Sequence, residues 1–402
     1  MKKILQYITI YMLIIMTTSL IYPEFMNFFY IINLILSLII VLKYKIFLEI
    51  KDIFFLIIIS ILLIILFWST NGSMTIASIL NTLTSIIFTA IYFKFSYNDF
   101  TTIYIKIIIF LGIISLFGYF SDLTNSFGFL VDKLPRLITS NSKLGNPTGG
   151  FFYVFRNINK INQNCGICYE PGKYQFLLNL AMYFMLFCKN GIKKKKLVFL
   201  ILSITIATTM STTGIVMYIV IIIAYLISNK DSISKSYIIL IFIITAIVIF
   251  SFFYDEITVT LFKKMNFNFS TMTFEYGSGN TRLNDISLDI EIFLNNIWGN
   301  GWRNYKNYWE LKQYGNYLYT TGSSSNSLTS MFAVYGILFS LYINIKYITN
   351  FIFKSKSIII ILLLLITYFY QNLSQSFSLT PLMIIFLLSK NDILYGKDFK
   401  EI

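Results

Sequence analysis

Histidine is absent from this chain of 402 residues. That absence removes the side chain most often used as a base at neutral pH and the commonest metal ligand. Charge is scarce too. Asp, Glu, Lys and Arg supply 12% of the residues against 56% hydrophobic, where a soluble globule carries about a quarter charged residues. Cysteine occurs three times, at Cys165, Cys168 and Cys188. Cys165-x-x-Cys168 has metal-like spacing, but no second pair completes a site. The two thiols could close as a disulfide outside the cell, or be two small residues in a tight loop. The alternation of a β-barrel is missing, and so is any internal repeat of the kind that marks inverted-repeat transporters.

What fills the chain instead is a succession of apolar runs, many of them about 20 residues long, enough to cross a hydrocarbon core. The expected fold class is an all-α polytopic integral membrane protein, one membrane domain over residues 1–402. Spans are expected near 4–22, 25–42, 53–68, 74–93, 102–120, 171–188, 197–210, 212–228, 237–254, 326–345, 357–370 and 376–389. The basic start has no small-residue cleavage site behind it, so the first run reads as a retained span.

Twelve spans put both termini on one side. With that side cytoplasmic, the inside loops "KYKIFLEIKD", "KFSYNDF", "KNGIKKKK", "NKDSISKS" and "KYITNFIFKSKS", with the N-terminus and the lysine-bearing tail, carry most of the lysines. The short outside turns, around Pro23 and at "STNGS", "MSTTG" and "QNLSQS", carry no cation. This is the positive-inside pattern, so the net charge of +14 is an orientation signal and not a nucleic-acid footprint. The lipid bilayer is the expected partner, and the cytoplasmic (inner) membrane the expected location. Residues 121–170 and 255–325 then face outward as two long segments, too polar to span and too long to be mere connectors.

Arginine is as rare as lysine is common, and its four positions are Arg136, Arg156, Arg282 and Arg303. All four fall in the two outer segments. A guanidinium presents a planar fork that grips phosphate or carboxylate through paired hydrogen bonds. Contact with lipid headgroups or ion pairing within the loops is the plainer reading. In "NCGICYEPGKYQF" (164–176), Pro171 suits a first helical position, and an acid before it complements the helix dipole. Glu170 therefore reads as the boundary residue at the outer start of a span, either a cap only or a reactive carboxylate.

Several stretches together resemble the Wzy-type polymerases of bacterial polysaccharides, within the O-antigen polymerase and ligase superfamily. "EPG" (170–172) is similar to the family's mid-chain motif. "ITIATTMSTTGIVMYIVII" (204–222) resembles its Thr/Ser-Gly hairpin between two spans. "GNTRLNDISLDIEIFLNNIWGNGWRNY" (279–305) resembles its Arg-bearing segment followed by a G-x-G turn, and "SSSNSLTSMFAVYGILFSLYI" (323–343) its Asn-led closing span. Tyr169 departs from the family, which often has arginine there. A histidine usual in the related ligases is missing beside Asn326, which favours a polymerase over a ligase.

The resemblance implies a GT-C-like architecture and a glycosyltransferase that joins polyprenyl-diphosphate-linked oligosaccharide units. O-antigen, capsule or another exopolysaccharide would be the product, with a chain-length regulator and a flippase as further partners. It implies catalytic roles for Glu170, Arg282 and Arg303, and substrate contacts for Arg156, Arg136, Lys173, Tyr169, Gly301 and Asn326. Without histidine, a carboxylate is the natural base. Tyrosines and tryptophan in 304–319 suit sugar stacking or an interfacial belt. Asp285, Asp289 and Glu291 sit on an amphipathic outer helix, but their spacing is not that of a divalent-ion pair, so neither a metal nor any other cofactor is expected. The alternatives are a lipid-linked oligosaccharide flippase, which should line a cavity with ionisable groups inside its spans, and a ligase-type or monosaccharide-lipid transferase.

Overall fold

The computed structural model describes residues 2–18, 22–70, 75–124, 148–149, 152–155, 163–168, 170–188, 190–228, 267–268, 273–274, 278–315, 324, 326–352 and 381–388, with a few isolated positions between them. The described chain is mostly helical. Its helices are α1 (Lys2–Thr18), α2 (Tyr22–Tyr44), α3 (Ile50–Ser69), α4 (Ile76–Ser96), α5 (Phe100–Thr124), α6 (Pro171–Phe187), α7 (Lys195–Thr208), α8 (Thr212–Ser228), α9 (Ser278–Asn295), α10 (Gly301–Gly315), α11 (Ser327–Tyr347) and α12 (Pro381–Leu388). A π turn (Ile348–Ile352) follows α11. Two antiparallel two-residue ladders pair β1 (Thr148–Gly149) with β2 (Val154–Phe155) and β3 (Phe267–Asn268) with β4 (Thr273–Phe274). The spans expected at 237–254 and 357–370 lie outside the described residues.

Helix ends are set by local chemistry. Before α3 the Glu49 amide donates to Asp52 Oδ2 at 3.0 Å, which satisfies one of the amides a helix start leaves open. Before α4 the Thr75 hydroxyl accepts from Ser78 N at 3.2 Å, the usual N-cap bond. Pro171 opens α6 at its first position, where its missing amide hydrogen costs nothing.

Four described helices are long and apolar enough to cross a membrane: Ile50–Ser69, Ile76–Ser96, Phe100–Thr124 and the stretch Ser327–Asn350 that joins α11 to the π turn. In α3 one helical stripe, Phe55, Ile59, Leu63 and Leu66, is buried, while Ile53, Phe54, Ile57, Ile61 and Ile65 stay exposed on the other side. An exposed apolar face of that size suits lipid and not water. Between such helices the gain comes from close packing and interhelical hydrogen bonds. Tyr92 donates to Asn33 Oδ1 at 2.9 Å, and Tyr104 donates to the Leu177 carbonyl at 3.1 Å.

Contacts between neighbours define two ends of the bundle. At one end Lys2 lies 6.0 Å from the Tyr44 ring, Tyr44 packs on Phe95, Lys94 pairs with Asp52 and Glu49, and Gly191 N donates to Thr102 Oγ1 at 2.9 Å. The lysines of 193–196 follow at once, and Lys346 closes α11 there, where Tyr342 stacks on Phe55. At the other end lie the C-terminal turns of α3, α5 and α7 and the starts of α4, α6 and α8. We call these the lysine end and the Glu170 end.

Candidate functional site

Residues 163–168 fold back onto the bundle at the Glu170 end and do not stand away from it as a loose outer loop. Asn164 is fully buried. Its Nδ2 donates to Ser115 Oγ (3.2 Å) and Thr208 Oγ1 (3.0 Å), its Oδ1 accepts from Gly166 N (3.0 Å), and its amide donates to the Thr208 carbonyl (2.8 Å). Tyr174 donates to the same Ser115 Oγ at 2.7 Å. Gly166 N–Cα geometry places its backbone against the Tyr174 ring, where a β carbon would collide. Val154 N donates to Gly166 O at 2.8 Å, so the β1–β2 ladder is tied to the same segment. Cys165 and Cys168 are buried and unbridged, which decides the sequence alternatives in favour of small residues in a tight turn. Burial pushes the Cys168 thiol well above its ordinary value, with Lys173 acting in the opposite direction.

Glu170 caps α6 with extended backbone, and its carbonyl accepts from Lys173 N (3.1 Å) and Tyr174 N (3.2 Å). Its side chain makes no capping hydrogen bond and is exposed. The carboxylate is thus not used up as a cap. One turn on, Gln175 and Asn179 meet the Thr/Ser-rich turn between α7 and α8. Asn179 Nδ2 donates to Gln175 Oε1 (2.9 Å) and to Gly214 O (3.0 Å). A β carbon at Gly214 would sit 2.7 Å from Gln175 Cβ, so glycine is what lets the turn close on α6. Two of the motifs picked out in sequence, 164–176 and 204–222, therefore meet in one hydrogen-bonded cluster.

The third and fourth motifs form another cluster. Asp289 of α9 is fully buried. It accepts from Tyr305 Oη of α10 (2.8 Å) and Thr329 Oγ1 of α11 (2.6 Å). Ser324 N in turn donates to Tyr305 Oη at 3.3 Å. Burial raises the Asp289 pKa to about 6, opposed by the bonds to Thr329, Tyr305 and Ser324 and reinforced by Asp285. Burial beside that carboxylate also pushes the Tyr305 phenol upward. Asp289 can hold a proton near neutral pH, but hydroxyls occupy both its oxygens. This is the geometry of a hub and not of a divalent-ion ligand.

Asn326, expected to touch substrate, is buried and caps α11: its Oδ1 accepts from Leu328 N (2.9 Å) and Thr329 N (3.3 Å). Gly301, with φ +68, is the turn residue that opens α10. Arg303 is exposed on α10. Arg282 lies on α9. Lys173 sits half-buried on the first turn of α6. Arg136, Arg156 and Tyr169 lie outside the described residues. Among the described residues no hydrogen bond or ion pair joins Glu170 to Arg303. A β carbon at Gly299, in the turn before α10, would touch Leu66 in the last turn of α3, which sets the start of α10 at the Glu170 end.

Sequence reading weighed Asp289 only as a metal ligand and Tyr305 only among the stacking aromatics of 304–319; Thr329 and the pair Ser115–Asn164 it did not single out. The signal for Asp289 was present. Asp285 and Asp289 are one turn apart on the face opposite Leu283, Ile290 and Leu294, and it is the apolar residues that are exposed and the acids that are buried. No protein-family model matches this chain, no curated protein is similar to it, and no solved structure matches its fold.

Proposed function

We propose that this chain is a membrane glycan polymerase that joins oligosaccharide repeat units carried on polyprenyl diphosphate, with its reaction centre at the Glu170 end. The carrying observation is that the polar parts of the four motifs (Asn164–Gln175, Thr208–Gly214, Asp289–Tyr305 and Ser324–Thr329) lie at the Glu170 end of the helix bundle, away from Lys94, the lysines of 193–196 and Lys346. Two of them are bonded directly through Asn164–Thr208, and Asn179, just past the first, adds a bond to Gly214.

Lysine clustering supports the orientation. By the positive-inside rule the lysine end faces the cytoplasm, so the Glu170 end faces outward from the inner membrane and α1 begins inside. Twelve spans with both termini cytoplasmic fit this arrangement.

The reaction needs an acceptor hydroxyl to attack the anomeric carbon of the donor unit. The new C–O bond forms as the bond to the lipid diphosphate breaks, and the diphosphate leaves with the bonding pair. The hydroxyl proton goes to a carboxylate. Glu170, exposed at a helix start and with no side-chain capping bond, is suited to receive it. Arg303, Arg282, Arg156 and Arg136 supply the guanidiniums for the leaving diphosphate, and loss of one such donor costs about 2.7–4 kcal/mol of barrier. Gln175 and Asn179 hold the α6 start rigid against α8, so that the carboxylate is positioned before substrate arrives.

Deleting the gene tests this reading. Cells should accumulate single lipid-linked units on the outer leaflet and lose long chains. Accumulation on the inner leaflet only would make the chain a flippase, and persistence of long chains would remove it from polymerisation.

A further inference from the structure

The segment after α9 does more than turn the chain. α9 and the first half of α11 advance in step, through Asp289 with Thr329, the Phe293 and Phe332 rings at 5.8 Å, and Ile337 N on Ile297 O at 2.9 Å. α10 then returns along the pair, with Trp302 Nε1 on Tyr335 Oη at 3.2 Å and Tyr305 on Asp289. α9 and α10 thus form a helical hairpin whose tip is Ile297–Trp298–Gly299. The tip enters the break in α11 at Gly336 and reaches Leu66, one turn inside the end of α3.

That depth matters because of what the hairpin leaves uncovered. Leu283, Ile290 and Leu294 make one apolar stripe along α9, and Leu294 is 68% exposed. Ile297 and Trp298 extend it to the tip. At the same level Trp68, near the end of α3, is 78% exposed, and Trp302 of α10 is exposed as well. Three of the four tryptophans therefore ring this end, while Trp309 is buried. Tryptophan collects at membrane–water boundaries because its ring is apolar and its N–H polar. The exposed faces of α3 and of α11 (Leu338, Leu341, Ile345) continue from the same level toward the lysine end. The stripe is thus continuous with surface that faces lipid. Arg303, Lys306 and Glu310 lie together on the opposite flank of α10 and remain solvated, with Lys306 and Glu310 3.7 Å apart.

We propose that the α9–α10 hairpin is a re-entrant element, its tip and its Ile290–Leu294–Trp298 stripe seated in the lipid leaflet at the Glu170 end. The occupant of the exposed stripe is the bilayer itself. An amphipathic element of this kind binds through buried apolar area, with cations held at the headgroups, which sets Arg303 at phosphate level. The inference needs only the membrane and the bundle ends. It is independent of which reaction the protein carries out.

The test is spin-label accessibility in the full chain reconstituted into phosphatidylethanolamine–phosphatidylglycerol vesicles. Labels are placed singly at Leu294→Cys, Ile290→Cys and Trp298→Cys, with Asn307→Cys on α10 as the aqueous reference and the unsubstituted chain as baseline. Leu294 is so exposed that its variant should fold even if Trp298→Cys does not. Labels at 290, 294 and 298 should relax several-fold more with oxygen than with a water-soluble nickel complex, and the label at 307 should show the reverse. Nickel accessibility at 290 and 294 equal to that at 307 would overturn the proposal. So would inaccessibility to both reagents, the mark of a protein partner or a second copy over the stripe.

Discussion

Gly336 and Trp298 compete for one space: the Trp298 carbonyl lies where a β carbon on Gly336 would have to be. Gly336 has φ 77 and ψ 178, a region that only glycine enters freely. The break it makes in α11 would strand backbone groups in an apolar setting, which is tolerated only where protein re-satisfies them. Here the turn does so. Asn300 donates its amide and its Nδ2 to Ala333 O, both at 3.1 Å, and Ile297 O accepts from Ile337 N.

Gly336→Ala should therefore destabilise the protein by at least ~1–3 kcal/mol, read as a lower unfolding temperature in detergent. Gly112→Ala is the control, because its β carbon would meet Thr205 Oγ1 at an ordinary 3.4 Å. It should leave stability unchanged or raise it by up to about 1 kcal/mol. Equal behaviour of the two variants would deny the break a structural role.

Asp289 gives stability a pH dependence of known sign. Its pKa in the folded state is raised to about 6, so the folded protein binds the proton more tightly than the unfolded chain does. The stabilisation is complete below the unfolded value and is lost as pH rises through about 6. Between pH 7 and pH 5 the protein should gain roughly 1 kcal/mol from this group. Asp289→Asn should flatten that part of the profile, and an unchanged slope would assign it to other groups.

Asn164 holds residues 163–168 against α5 and α7. Its replacement by Ala leaves Gly166 N and the Thr208 hydroxyl short of a partner, at a cost of about 1–3 kcal/mol. Cys165 and Cys168 lie in that segment, buried. Both should be inert to maleimide in the native protein and become reactive in Asn164→Ala. Rapid labelling of the native protein would contradict the described packing.

Much of the helical frame was legible in sequence because long apolar runs dictate helices when backbone groups must be satisfied internally. The run expected at 212–228 coincides with α8 (Thr212–Ser228), and that at 171–188 with α6 (Pro171–Phe187). Pro171 marked the start of α6 by itself. What stayed hidden depends on partners distant in sequence. Gly299 read as an ordinary G-x-G turn because its reason, the backbone of Gly336, belongs to another helix. Asn326 read as a substrate contact, and its second role, the side-chain oxygen capping α11, depends on where that helix begins. The face of α9 that carries Asp289 was legible, but its partners Tyr305 and Thr329 belong to other helices, and no local pattern announces them.

The most direct measurement places the purified chain in vesicles with a polyprenyl-diphosphate-linked repeat unit and follows product length on a gel. The account predicts a ladder of multiples, lost in Glu170→Gln and weakened about 100-fold or more in Arg303→Ala, with both variants folded as judged by their unfolding temperatures. Units that remain single with the native chain, or a ladder undiminished in Glu170→Gln, would contradict it.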